Sequence, residues 1–116
     1  IILMANAGEE CRQAAFLVCH GSFNPVQRNH VALMVRARQV LEAAGYHVIR
    51  AIFAPTCRSM VVQWKGLATL SDEIRFAVLD LTCADFVDPP GWLCSDIRGV
   101  DYPSARKLIR RVLEPE

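Results

Sequence analysis

The sequence predicts an α/β domain, a Rossmann-like, doubly wound parallel sheet. Three observations carry that prediction. Short apolar runs alternate with stretches of helical period. Each apolar run closes on a glycine or a proline, the residues that stop strands. The 116 residues are 53% apolar and 22% charged, enough for one small globular core.

The elements follow in order. Residues 1 to 13 show no clear period. Ala15-Phe16-Leu17-Val18-Cys19 is short, continuous and apolar, and reads as a buried strand ending at Gly21. Helical spacing then places Leu33, Ala37, Val40, Leu41 and Ala44 on one side, with Gly45 in the C-cap position. His47 to Ala54 is a second β-branched apolar run, stopped by Pro55, and 56 to 70 reads as loop. Ser71-Asp72-Glu73 joins a capping residue to acids in a first turn, so a helix starts there, with Ile74, Ala77, Val78 and Leu81 inward. Phe86-Val87 reads as a third, very short strand before Asp88-Pro89-Pro90-Gly91. A last helix is expected from Ser104 to Leu113, burying Ala105, Leu108, Ile109 and Val112. Strand–helix–strand–helix–strand implies parallel strands joined by right-handed crossovers.

Composition bounds the function. A formal net charge of +1 offers no global basic field, so neither nucleic acid nor an anionic membrane is an expected partner, and any anion site is local. No apolar run approaches the ~20 residues of a bilayer span, and no secretion signal is read at the start. The five cysteines, Cys11, Cys19, Cys57, Cys83 and Cys94, contain no C-x-x-C pair. Their odd number and spacing suit free thiols in a reducing compartment rather than a disulfide framework or a zinc site.

The chemistry concentrates in CHGSFNPVQRNH, residues 19 to 30. A glycine turn at the carboxyl end of a first strand is where open α/β sheets bind ligands. Gly21 allows close approach, the amides of Ser22 and Phe23 are candidate phosphate donors, and His30 stands at a helix start beside its positive dipole end. On spacing alone, an ordinary loop with a surface histidine fits equally well.

Gly21-Ser22-Phe23-Asn24-Pro25 with His30 five residues on resembles the (T/H)-x-x-H nucleotidyltransferases, and most resembles the nicotinamide/nicotinic acid mononucleotide adenylyltransferases in their eukaryotic form. Ile52-Phe53-Ala54-Pro55, Lys65-Gly66-Leu67, Glu73-Ile74-Arg75 and Phe86-Val87-Asp88 extend the resemblance, in order, over about residues 15 to 92. Gln27 stands where that family has Thr or His, and Ser104 to Arg110 only approximates its I-S-S-T-x-I-R motif. The family's long middle section has no counterpart between Trp92 and Ser104. Either the chain is truly short and has lost function, or residues are missing between about 92 and 104. The second is the expectation, for a single, incomplete domain, because two half-sheets that never meet cannot bury a sheet's faces.

The resemblance implies adenylyl transfer from ATP, with Mg²⁺, to nicotinamide or nicotinic acid mononucleotide in a cytoplasmic or nuclear enzyme of NAD synthesis, for which a homo-oligomer is one expected form. It implies His30 as the catalytic group. ATP phosphates would meet Gly21, Ser22, Phe23, Gln27, Lys65, Ser104, Arg106 and Arg110. The pyridine nucleotide would meet Ser22, Phe23 and Trp92. No protein metal ligand is implied. Read without the resemblance, Lys65 is equally a solvated loop lysine, Arg106 and Arg110 are the wet face of an amphipathic helix, Trp92 plugs the core, and His20 and His47 are structural. Two other functions stay open: an inactive nucleotide-binding or scaffold homologue, and a nucleotidyltransferase with another phosphate acceptor.

Overall fold

A computed structural model describes residues 2–6, 13–56, 69–98, 100 and 105–114. The sheet has four strands: β1 (Ile2–Asn6), β2 (Gln13–Gly21), β3 (Tyr46–Pro55) and β4 (Leu93–Ser95), in that spatial order. β2, β3 and β4 are parallel, and β1 pairs antiparallel with β2 at the edge. The helices are α1 (Arg28–Ala43), α2 (Asp72–Asp85) and α3 (Ala105–Leu113). Helix and strand alternate from β2 onward, as expected of a partial Rossmann-like open sheet.

The two faces of the sheet carry separate cores. Ala15, Leu17 and Cys19 of β2 join Val48, Ala51 and Phe53 of β3 under Met34 of α1 and Leu79 and Cys83 of α2. Val18, Ile52 and Ala54 turn the other way and meet Ile109 and Val112 of α3. Alternation along each strand separates the two sets. One irregularity keeps β3 in step. The register moves from Ala15–Val48 to Phe16–Arg50, so Ile49 is an extra residue, and Val48 and Ala51 share a face despite their spacing of three. α1 and α2 thus cover one face and α3 the other.

Several boundaries differ from the sequence reading. The third parallel strand is Leu93–Ser95, not Phe86-Val87, and Val87 instead bridges Pro90 inside a turn. β1 had no period to read because Ile2-Leu3-Met4-Ala5 is apolar throughout. In α1 the sheet-facing residues are Val31, Met34, Ala37 and Leu41, whereas Leu33 and Val40 are exposed. In α2 the buried set is Arg75, Leu79 and Cys83, whereas Ile74 and Leu81 are exposed. Gly45 does end α1 in the left-handed conformation, φ 97°, with its N–H donating to Glu42 O at 3.1 Å. Among the described residues no helix is long and apolar enough to cross a membrane.

Candidate functional site

The turn between β2 and α1 forms one wall of a cleft of about 420 Å³ lined by Cys19 to Pro25, Gln27 and His30. It lies at the carboxyl end of the parallel strands. The turn is tied down from behind. Gly21 O accepts from both the N–H and the hydroxyl of Thr56, each at 3.0 Å. Ser22 O accepts from Nη1 of Arg75. Asn24 Oδ1 accepts from the Leu70 N–H at 2.9 Å. In a planar trans peptide the N–H points opposite to the C=O. The N–H groups of Ser22 and Phe23 share planes with those two carbonyls, so they are directed away from Thr56 and Arg75.

The unusual backbone of this turn belongs to Phe23 rather than to Gly21. Phe23 has φ 46°, a left-handed value costly for an aromatic residue, and Asn24–Pro25 is a cis peptide. Its ring is buried and meets Phe53 edge-on at 5.1 Å and His30 at 5.2 Å. A Cβ added to Gly21 would touch that ring at 3.4 Å, an ordinary contact. A methyl group at this position would therefore fit beside Phe23, and no left-handed turn requires glycine there.

Gln27 is the N-cap of α1, so His30 is the third residue of the helix. Nδ1 of His30 accepts the Gln27 N–H at 2.8 Å. In the neutral imidazole the proton then resides on Nε2, which becomes a fixed donor. The ring sits half-buried on Phe23, beside the first-turn amides of α1. Cys19 also lines the cleft, but burial pushes its thiol up, away from a reactive thiolate.

The other expected site residues are dispersed. Lys65 and Ser104 lie outside the described residues. Arg106 and Arg110 are exposed on α3 and are not among the residues lining the cleft. Trp92 is a core residue, the alternative to ring stacking that the residue's place after the Pro-Pro-Gly turn had left open, and a ligand ring cannot stack on it as placed. It is 5% exposed, donates Nε1–H to Val48 O at 3.1 Å, and packs between Phe86 and the Arg38 guanidinium. His20 lines the cleft, while His47 is a surface residue 3.9 Å from Glu42. Asp85 and Asp88, acids that flank the strand expected at Phe86-Val87, also stand apart from the cleft: Asp85 borders a separate groove between α1 and α2, and Asp88 O accepts from Arg38.

Two residues that hold the site escape periodicity. Thr56 lies just past the proline that ends β3, and Arg75 falls on the buried side of α2 where a hydrophobic residue would be sought. The repeated threonine and arginine bonds to one turn become visible only in three dimensions. Among the described residues no group of three or more His, Cys, Asp or Glu side chains could hold a metal ion.

No family model matches the chain. It is 30% identical over 112 residues to a nicotinamide/nicotinic acid mononucleotide adenylyltransferase of Arabidopsis thaliana. The match takes in 95% of this chain but 44% of that relative, so the chain spans less than half the relative's length. The similarity points to the nucleotidyltransferases.

Proposed function

We propose that this chain carries the nucleotide-binding part of an enzyme that transfers the adenylyl group of ATP to nicotinamide or nicotinic acid mononucleotide. The products are NAD, or its acid form, and pyrophosphate. The observation that carries the reading is His30: its Nδ1 is held by Gln27, so its Nε2–H is a prepared donor beside a cleft at the carboxyl ends of the strands. The similarity to the plant adenylyltransferase supports the same chemistry.

The reaction needs no protein nucleophile. A phosphate oxygen of the mononucleotide forms a bond to the α-phosphorus of ATP. The bond from that phosphorus to the oxygen bridging to the β-phosphate breaks, and pyrophosphate leaves with the electron pair. The protein aligns two anions and stabilises charge on the α-phosphoryl oxygens. His30 Nε2–H would donate to one of those oxygens. The Ser22 and Phe23 amides and the Gln27 side-chain amide would meet others. Gly21, which has no side chain, would let the phosphates approach the turn closely, and Lys65 and Ser104 would add donors. Mg²⁺ neutralises phosphate charge when it is present. No carboxylate is among the described residues that line the cleft, and the ion would arrive bound to the ATP.

One observation favours the second reading, an inactive nucleotide-binding homologue. Arg106 and Arg110, the expected clamp for the outer phosphates, stand exposed and outside the cleft lining. Incubation with ATP, Mg²⁺ and each mononucleotide separates the two. The enzyme reading expects stoichiometric dinucleotide and pyrophosphate. ATP binding without pyrophosphate release would establish the inactive homologue, and turnover with only other phosphate acceptors would reassign the substrate.

A further inference from the structure

We propose that Arg75 is the positioning residue of the phosphate turn, a buried guanidinium that aims the Ser22 and Phe23 amides by holding the carbonyls behind them. The proposal rests on the nucleotide-binding reading of the cleft. Arg75 is fully buried on α2, 53 residues from Ser22 along the chain. Nη1 donates to Ser22 O. Nη2 donates to Thr56 O at 2.7 Å and to Asp72 Oδ1 at 2.6 Å. One side chain therefore joins the β2–α1 turn, the end of β3 and the first turn of α2.

The arrangement is informative because burying a guanidinium is costly. Here Nη1 and Nη2 are bonded while the buried Nε has no hydrogen-bond partner among the described residues, so the cost is met only where the fork reaches the carbonyls and Asp72. A buried leucine would fill the same place on α2 at no electrostatic cost. What a leucine cannot do is fix the direction of a carbonyl. Ser22 O is fixed by Arg75, and Gly21 O by Thr56, whose own carbonyl Arg75 also holds. Both peptide planes are thus set from one side, and their N–H groups are set with them. Asp72 completes the unit by orienting and partly neutralising the guanidinium. Lysine could not substitute. Its ammonium is a point donor, whereas the planar fork spans carbonyls from two separate segments.

The test compares Arg75→Ala and Arg75→Lys with the parent chain by amide NMR without nucleotide and by calorimetry with ATP. Both variants are expected to shift the Ser22 and Phe23 amide resonances and to weaken ATP binding by about 10- to 100-fold. Millimolar methylguanidinium is expected to restore both properties to Arg75→Ala, which a purely packing role would not predict. If Arg75→Ala does not fold, Arg75→Lys decides. A folded Arg75→Lys with parental Ser22 and Phe23 resonances overturns the proposal, as does a folded variant whose ATP affinity is unchanged. If the parent chain binds no ATP, the nucleotide reading fails. The nucleotide-free resonances then still decide whether Arg75 sets the turn.

Discussion

Arg75 on α2 and Arg106 on α3 both sit near the start of a helix packed on the same sheet, and their environments are opposite. Arg75 is fully buried and holds the carbonyls of Ser22 and Thr56. Arg106 is exposed, as are Lys107 and Arg110. α3 is fastened through a different arginine. Arg98 forks onto the Asp96 carboxylate, donates to Glu114 O at 2.8 Å, and donates to Val112 O. A cation on the last carbonyls of a helix offsets its negative dipole end. The lesson is that a charged residue's contribution here follows the carbonyls it reaches. On α2 those carbonyls belong to the candidate site, whereas around α3 they belong to the helix's own end.

The largest expected effect comes from breaking the turn side of this comparison. Phe23→Ala keeps a non-glycine residue in the left-handed region and removes the ring that packs on Phe53 and His30. Urea unfolding is expected to show a loss of about 3–5 kcal/mol, the range for a buried phenylalanine. A loss under about 1 kcal/mol would mean that the ring adds little to the turn.

His30→Ala comes next. Removing a donor to the reacting phosphoryl group is expected to lower kcat for dinucleotide formation roughly 10²-fold, with a smaller change in KM. Turnover near that of the parent chain would remove His30 from the catalytic machinery and weaken the enzyme reading as a whole.

The same contrast explains what could be read in advance. β2, α1 and β3 were legible because each is a local run with a clear terminator, Gly21, Gly45 or Pro55. The inward faces of α1 and α2 were less legible. In α1 two apolar sets interleave, one through Val31 and Met34 and one through Leu33 and Val40, and only packing selects between them. In α2 the true inward position is occupied by Arg75, so a search for apolar spacing settles one step away on Ile74 and Leu81. The third strand was placed early because Leu93-Cys94-Ser95 is only three residues long and takes its definition from β3. At the site, Gly21, Ser22, Phe23, Gln27 and His30 were legible as a cluster because they are consecutive or nearly so. Thr56 and Arg75 were not, because their role depends on contacts 35 and 53 residues away.

A smaller effect concerns the layer beneath α2. Burial, reinforced by Cys94 and Asp80, raises the Cys83 thiol from 9.0 to about 12. The folded protein therefore keeps a proton that the unfolded chain loses at lower pH. Its contribution to stability is fully present below pH 9 and is lost as pH rises toward 12. Unfolding measured between pH 8 and pH 10 is expected to show stability falling at up to about 1.4 kcal/mol per pH unit for this thiol. Cys83→Ala should flatten that decline while lowering stability at neutral pH. An unchanged slope would show that Cys83 is not the titrating group.

The smallest expected effect is on the α3 side, and it is the sharpest test of the comparison. Arg106 and Arg110 have exposed side chains on a helix whose buried residues, Ile109 and Val112, face Val18, Ile52 and Ala54. Solvent-exposed charges without a buried partner contribute little to folding, so the double substitution Arg106→Ala, Arg110→Ala is expected to change stability by no more than about 0.5 kcal/mol. Neither arginine lines the cleft, so ATP affinity should change less than about twofold at moderate salt, where exposed charges that do not contact the ligand are largely screened. Repeating the measurement at low salt adds a control. A loss confined to low salt would be a long-range field effect. A tenfold loss that persists in salt would require direct contact with the phosphates, and would place α3 in the site alongside His30 and the turn that Arg75 holds.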